Sequence, residues 1–379
     1  MTLSAALATS TSYIIQPELK AVARALNSSL PVVSLVAASA VVGYLLGLAL
    51  LVPLVDRIRA HFLVTGQLLV LGVGLLIAAS APDPAILGVG LFVAGVCAST
   101  GAQMSTLAGK YSPRQRRGRV LGTVTAGISA GILLGRIVGG ALANWIGWRP
   151  TLLTFAFACG LFAVAAFCIL PRNVIPAAEP YRAAIRSLPR LLASNRVLRI
   201  AAMSGALWFL SFNLIWVSLS LALSLPPLNL SSAVIGLYSL AGLLGIAATR
   251  IAGALADRHP AHLIILAGLA LSFVSTVTMV FTLDTAPILL VALALFDAGL
   301  FAAQVTNQSR VLGLDPKHPA KFNSAYMVVY FVGGSVGTGI GGSIVDWLNW
   351  PGAAAIAGAA VAAAAMIVLT TAETVRPAP

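Results

Sequence analysis

Charge is what this sequence has least of. Only 9% of its 379 residues are Asp, Glu, Lys or Arg, and acidic side chains number 10. A soluble domain carries about 25% charged residues. Here apolar types reach 59% and the mean hydropathy is +0.98. Such a chain cannot cover a water-facing surface, so its solvent is lipid. Cysteine is scarce too: Cys97, Cys159 and Cys168 all fall in apolar stretches, with neither metal nor redox spacing, and read as buried small residues. His61, His259, His262 and His318 lie in or beside polar loops and join no carboxylate or thiol cluster. No metal and no cofactor is expected.

What is present is a series of apolar runs. A span needs roughly 20 mostly apolar residues. About twelve such runs are separated by short polar breaks: 3–25, 30–54, 62–80, 85–109, 119–144, 150–170, 200–223, 233–252, 262–282, 286–311, 322–345 and 352–371. The fold class is therefore all-α and membrane-spanning. Met1–Pro17 lacks the basic start of a signal peptide and leaves little tail before the first run. The native start is expected slightly upstream, or the first helix begins at the membrane surface.

The formal net charge of +13 would suggest nucleic acid for a soluble protein. Here the basic residues alternate between loops. One side holds Lys20, Arg24 and Arg149. The other holds Arg57, Arg59, Lys110, Arg114, Arg116, Arg117, Arg119, Arg172, Arg182, Arg186, Arg190, Arg196, Arg199, Arg250, Arg258, Arg310, Lys317, Lys321 and Arg376. The richer side is expected to be cytoplasmic, with both termini there. These clusters are topology signals, and no nucleic-acid partner is expected.

Pro171 to Arg199 is the longest polar stretch, with three prolines after Pro171 and a segment near 182–192 that reads as a short surface helix. It divides the chain into a six-helix bundle over 1–170, a cytoplasmic linker over 171–199 and a second six-helix bundle over 200–379. The halves repeat. Gly131, Gly135, Gly139, Gly140, Asn144, Trp145 and Trp148 align with Gly333, Gly337, Gly341, Gly342, Asp346, Trp347 and Trp350 at one offset of 202 residues. Asp56-Arg57 aligns with Asp257-Arg258, and Gln103 with Gln304, at an offset of 201. A parallel repeat of this kind occurs in secondary transporters, whose substrate path lies near the bilayer midplane.

The loop Pro53-Leu-Val-Asp56-Arg57-Ile-Arg59, its second copy Gly253-Ala-Leu-Ala-Asp257-Arg258, and the glycines 122, 131, 135, 139 and 140 of the fifth run resemble signatures of the major facilitator superfamily. Tyr13-Ile-Ile-Gln16-Pro17, Gly43-Tyr44-Leu-Leu-Gly47, and Asn307-Gln308-Ser-Arg310 with Tyr326 to Gly334 are similar to a bacterial branch of drug or sugar efflux permeases. The resemblance implies the major facilitator fold, alternating access, a bacterial inner-membrane location and a monomer. Where that family usually carries proline in the fifth run, this chain has Arg136. The resemblance also implies that runs one, four, seven and ten line the cavity.

That gives the candidate residues. Asp56, Arg57, Arg59, Asp257 and Arg258 would latch cytoplasmic helix ends; the plainer alternative is a surface ion pair worth ~0–1 kcal/mol. Asp297 is the one carboxyl near the middle of a span, where a charge costs roughly 2.5–3.5 kcal/mol. It would carry the coupling proton, or else make a structural hydrogen bond. Arg136 lies past the centre of its run and either snorkels outward or faces the cavity. Gln16, Gln103, Trp208, Asn213, Trp216, Gln304 and Asn307 would bind substrate with Arg136, or serve as interhelical hydrogen bonds worth about 0.6 kcal/mol each. Glycines 131, 135 and 139 share one helix face, as do 333, 337 and 341, and allow close helix packing. Trp145, Trp148, Trp347 and Trp350 read as interfacial anchors.

The expected function is proton-coupled efflux of a small organic molecule. The alternative is uptake or facilitated diffusion of a sugar or metabolite without protons. An enzyme is not expected, because no nucleotide loop, metal set or nucleophile–base pair is present. A duplicated chain also suits rocking halves better than a fixed pore.

Overall fold

The protein is described from a computed structural model covering residues 1–112, 117–172, 181–256, 258–315 and 319–372. Asp257, residues 173–180 of the linker 171–199 and the side chain of Asp56 lie outside the described residues. Among the described residues the regular structure is entirely helical. In chain order the helices are α1 (Thr2–Ser10), α2 (Leu19–Ala25), α3 (Leu30–Leu50), α4 (Ala60–Ser80), α5 (Pro84–Ala98), α6 (Thr100–Tyr111), α7 (Arg117–Ile146) and α8 (Trp148–Ile169). Then come α9 (Tyr181–Ser194), α10 (Arg196–Ser224), α11 (Ser232–Leu237), α12 (Gly242–Ala256), α13 (Ala261–Val280), α14 (Ala286–Leu312) and α15 (Pro319–Ala372).

Ten described helical stretches are long and apolar enough to cross a membrane. Two departures account for the difference from twelve. The last stretch, Lys321–Thr370, is two helices joined at Asn349. The first expected span is not continuous: α1 ends at Ser10, a turn follows, and a single 3-10 turn over Gln16–Glu18 leads into α2. The α-helical bonding lapses after Thr11, where the Ser12 and Tyr13 amides donate to carbonyls three residues back, and Pro17, which lacks an amide proton, keeps the helix from resuming at once. Elsewhere local chemistry sets the starts. Pro84 stands at the first position of α5, and the Asp83 carboxylate accepts from the amides of Ala85 (2.8 Å) and Ile86 (3.0 Å).

The chain forms two compact units, Met1–Ile185 with Asn229–Leu237, and Arg186–Leu228 with Tyr238–Pro379. In the first, α1 and α11 pack on α7, and α4 lies between α5 and α8. Val64, Leu68, Met104 and Leu107 are buried at its core. In the second, α10 runs along α15, and α14 contacts α12 and α13. Each unit leaves apolar stripes uncovered. On α8, Leu153, Phe157, Leu161 and Val164 are exposed at helical spacing, while Leu152, Phe155, Cys159 and Ala163 face inward. Lipid, rather than protein, covers such a stripe. This also corrects the expectation for Cys168, which is exposed: an apolar stretch is buried in the bilayer without being buried in the protein.

The sequence repeat is a repeat of packing. A methyl group added at Gly131, Gly135 or Gly139 of α7 would run into the backbone of Ala6, Ser10 or Ile14. At Gly333 and Gly337 of α15 it would run into the backbone of Ala206 and Leu210 of α10. Small residues let helix backbones touch where no aqueous driving force exists. Gly122, in contrast, faces open space. The repeat extends to the turns: Gly147 has φ +87° and Asn349, its counterpart 202 residues later, has φ +56°. Both are residue types that tolerate the left-handed region.

This joint also corrects the tryptophan reading. Trp145 and Trp347, before it, are exposed as anchors would be, but Trp148 and Trp350, after it, are buried. The left-handed residue redirects the chain, so the second tryptophan opens the next helix on its inner side. Trp350 donates its indole N–H to the carbonyl of Met279 at 2.6 Å, and the Arg149 guanidinium stacks 4.3 Å over the Trp148 ring.

Candidate functional site

In the second unit, α10 is the most enclosed stretch, with 83% of its apolar window buried. It carries polar groups into that interior. Trp216 donates its indole N–H to Oδ1 of Asp297 on α14 at 3.3 Å. Asp297 sits eleven residues into a 27-residue helix and is 2% exposed. Nearer the other end of α10, Asn307 of α14 donates to the Ala201 carbonyl at 2.9 Å. The Tyr326 hydroxyl of α15 donates to Gln304 Oε1 at 2.6 Å and accepts from Asn307 at 3.5 Å. The Tyr326 ring fits because position 205 is glycine, where a Cβ would approach the ring within 2.9 Å. Gln308 donates to Asn323 at 2.9 Å. Between these groups runs an aromatic face. Phe209 stacks on Tyr330 with centroids 4.0 Å apart, and Phe212 meets Phe301 edge-on at 6.0 Å.

In the first unit, Arg136 of α7 is 3% exposed. Its Nε donates to Gln16 Oε1 at 2.8 Å, and its guanidinium carbon lies 5.0 Å from the Tyr13 ring centroid. Gln16 reaches it from the 3-10 turn between α1 and α2. The burial answers one question left open by the sequence: Arg136 does not snorkel to a surface. Behind it, a Cβ on Gly236 of α11 would press on the Arg136 carbonyl, so α11 and α7 are in backbone contact.

The second unit thus holds a buried carboxyl with an indole donor and amides beside aromatic rings, and the first unit holds a buried guanidinium with an amide partner. Neither set contains a nucleophile–base pair.

The sequence model for the Major Facilitator Superfamily matches residues 1–338. The chain belongs to the major facilitator superfamily. It is 31% identical over 368 residues to the uncharacterized transporter YgaY of Escherichia coli O157:H7, covering 97% of this chain and 93% of that one. It is 28% identical over 367 residues to the probable transporter SCO4007 of Streptomyces coelicolor, covering 97% of this chain and 84% of that one. A shorter match, 29% over 169 residues, is to a chloramphenicol resistance protein of Streptomyces lividans and covers 43% of this chain and 41% of that one. Among solved structures, a bacterial homolog of the human lysosomal transporter Spinster superposes with a TM-score of 0.79 at 14% identity, over 100% of this chain and 97% of that one. A D-xylose–proton symporter superposes with a TM-score of 0.75, also at 14% identity, over 97% of this chain and 95% of that one. The fold is therefore the major facilitator fold, and this superfamily member is a multi-pass membrane transporter of a small molecule rather than an enzyme.

Within this transporter the eight residues expected at a binding site are placed unequally. Gln16 and Arg136 meet in the first unit, and Trp216, Gln304 and Asn307 line the α10–α14–α15 interior of the second. Gln103 is buried and donates to the Leu51 carbonyl at 2.9 Å, satisfying the end of α3. Asn213 ties α10 to α15: it donates to its own Phe209 carbonyl at 2.9 Å and accepts from Thr338 at 3.3 Å. Trp208 is buried with an indole N–H that has no hydrogen-bond partner among the described residues. Of the candidate latch residues, Arg57 donates to the Pro53 carbonyl at 3.0 Å, while Arg59 and Arg258 are exposed. Tyr13 and Tyr326 were missed. Their signal was present as helical spacing, since Tyr13 stands three residues before Gln16 and Tyr326 four before Tyr330.

Proposed function

We propose that this transporter exports a small organic molecule in exchange for protons by alternating access, with Asp297 as the proton carrier. The observation that carries the reading is the Asp297 carboxyl, buried in mid-helix and met by the Trp216 indole. A charge at that depth is costly unless it is solvated or partnered. A carboxyl that opens to water in one state and closes in the other therefore changes protonation with conformation, which is what coupling requires. Export is supported by the similarity to a protein named for chloramphenicol resistance. Gln16, Arg136, Trp216, Gln304 and Asn307 would contact substrate. Asp56, Arg57, Arg59, Asp257 and Arg258 would latch helix ends. The working unit is a monomer of two bundles, 1–170 and 200–379, joined by the linker 171–199. It would sit in a bacterial inner membrane with both termini in the cytoplasm, and a reporter fused at Arg186 that reads as external would refute that orientation.

The test uses inside-out vesicles, a panel of drugs and sugars, and an imposed pH gradient. Asp297→Asn keeps size and most hydrogen bonding but cannot titrate. It is expected to bind substrate and to lose gradient-driven accumulation. Asp56→Asn is expected to slow transport more than it lowers expression. Full gradient-driven accumulation by Asp297→Asn would reject Asp297 as the proton carrier, whereas a parent protein that only equilibrates substrate and ignores the pH gradient would favour facilitated diffusion of a sugar or metabolite.

A further inference from the structure

α9 lies in the connection between the spans α8 and α10. Its sequence, YRAAIRSLPRLLAS, is two-sided. Arg186 and Arg190 are four residues apart, share one face and are exposed. Leu188, Leu191 and Leu192 project away from that face and are half-buried. A helix with a basic face and an apolar face lies in the plane of a membrane interface.

The depth of α9 is set by its join to α10. Asn195 alone separates the two helices, and its side chain accepts from the Leu198 amide at 2.9 Å, capping α10. Arg199, in the first turn of α10, donates Nη1 back to the terminal carbonyls of α9, Ala193 at 2.9 Å and Leu192 at 3.4 Å. The last turn of α9 is thereby tied to the first turn of a membrane span, which is the level of lipid headgroups. Arg196 is exposed in that same turn. No Asp or Glu occurs from Tyr181 to Ala256, so α9 and α10 carry no acidic residue of their own, and Glu179 and Asp257 flank that range in the sequence.

We propose that Arg186, Arg190 and Arg196 form a docking surface for the phosphate headgroups of anionic phospholipids, with the leucines of α9 turned toward the acyl boundary. Guanidinium pairs with phosphate through two parallel hydrogen bonds. A zwitterionic headgroup offers the same phosphate with its charge offset by choline, so the surface discriminates by net charge. This is a property of the folded protein, separate from the use of basic loops to set orientation during insertion.

The experiment titrates purified full-length protein with phosphatidylglycerol or phosphatidylcholine and counts bound lipids by native mass spectrometry. The parent is expected to retain phosphatidylglycerol preferentially. Each arginine near an anionic surface contributes roughly fivefold, so R186Q/R190Q/R196Q should weaken the tightest site on the order of a hundredfold. R186K/R190K/R196K should keep most of the preference. A control pair, R172Q/R250Q, removes exposed basic residues elsewhere and should leave the site intact. Equal loss in the control pair, or no preference in the parent, would overturn the proposal. So would displacement by millimolar inorganic phosphate, which would mark a free-anion site, or a site filled by an oligonucleotide in place of lipid.

Discussion

The indole of Trp216 on α10 and the carboxylate of Asp297 on α14 are joined by a 3.3 Å hydrogen bond inside the second unit, 81 residues apart in sequence. It links a carboxyl buried in the middle of α14 to the most enclosed of the described spans. A donor from a neighbouring helix stabilises the charged carboxyl; without it, charge at that depth is harder to hold.

Trp216→Phe tests this link without removing the carboxyl. Phenylalanine keeps the aromatic surface toward Phe212 and removes only the indole donor. A hydrogen bond to a charged group is worth about 1.5–3 kcal/mol. The variant should therefore insert normally and slow proton-driven transport about tenfold or more. Its pH–rate profile should move relative to the parent. An unchanged profile would mean that Trp216 is only packing.

Arg136→Lys preserves charge and tests geometry. Lysine cannot reproduce the planar contact with Tyr13 together with the directed bond to Gln16. Transport by the lysine variant should fall about tenfold or more, with normal expression. Activity equal to the parent would reduce Arg136 to a point charge.

The paired glycine faces predict a stability contrast. Gly135→Ala and Gly337→Ala each drive a methyl group into the backbone of Ser10 or Leu210, an overpacking cost of about 1–3 kcal/mol. Gly122→Ala and Gly160→Ala enter open space and should leave stability unchanged or slightly raised, since alanine favours helix. Thermal denaturation of the purified variants separates the two groups. Equal melting temperatures across all four would contradict the backbone contacts.

Much of the fold was legible because lipid imposes a simple rule: every span must be a long apolar helix that satisfies its own backbone. The runs over 62–80, 200–223 and 286–311 matched α4, α10 and α14 within a few residues, and the offset of 202 anticipated equivalent packing on α7 and α15. Tertiary structure alone decided which apolar residues face protein and which face lipid. Cys159 and Cys168 read alike in sequence, yet only the first is buried, because both environments are apolar and composition cannot tell them apart. The same limit hid the split roles of Trp145 and Trp148, which depend on one left-handed residue at Gly147. It also hid the polar pairs. Burial required Arg136 and Asp297 to have partners, but the identities of those partners depend on helix rotation and depth. Only packing brought Gln16 to one and Trp216 to the other.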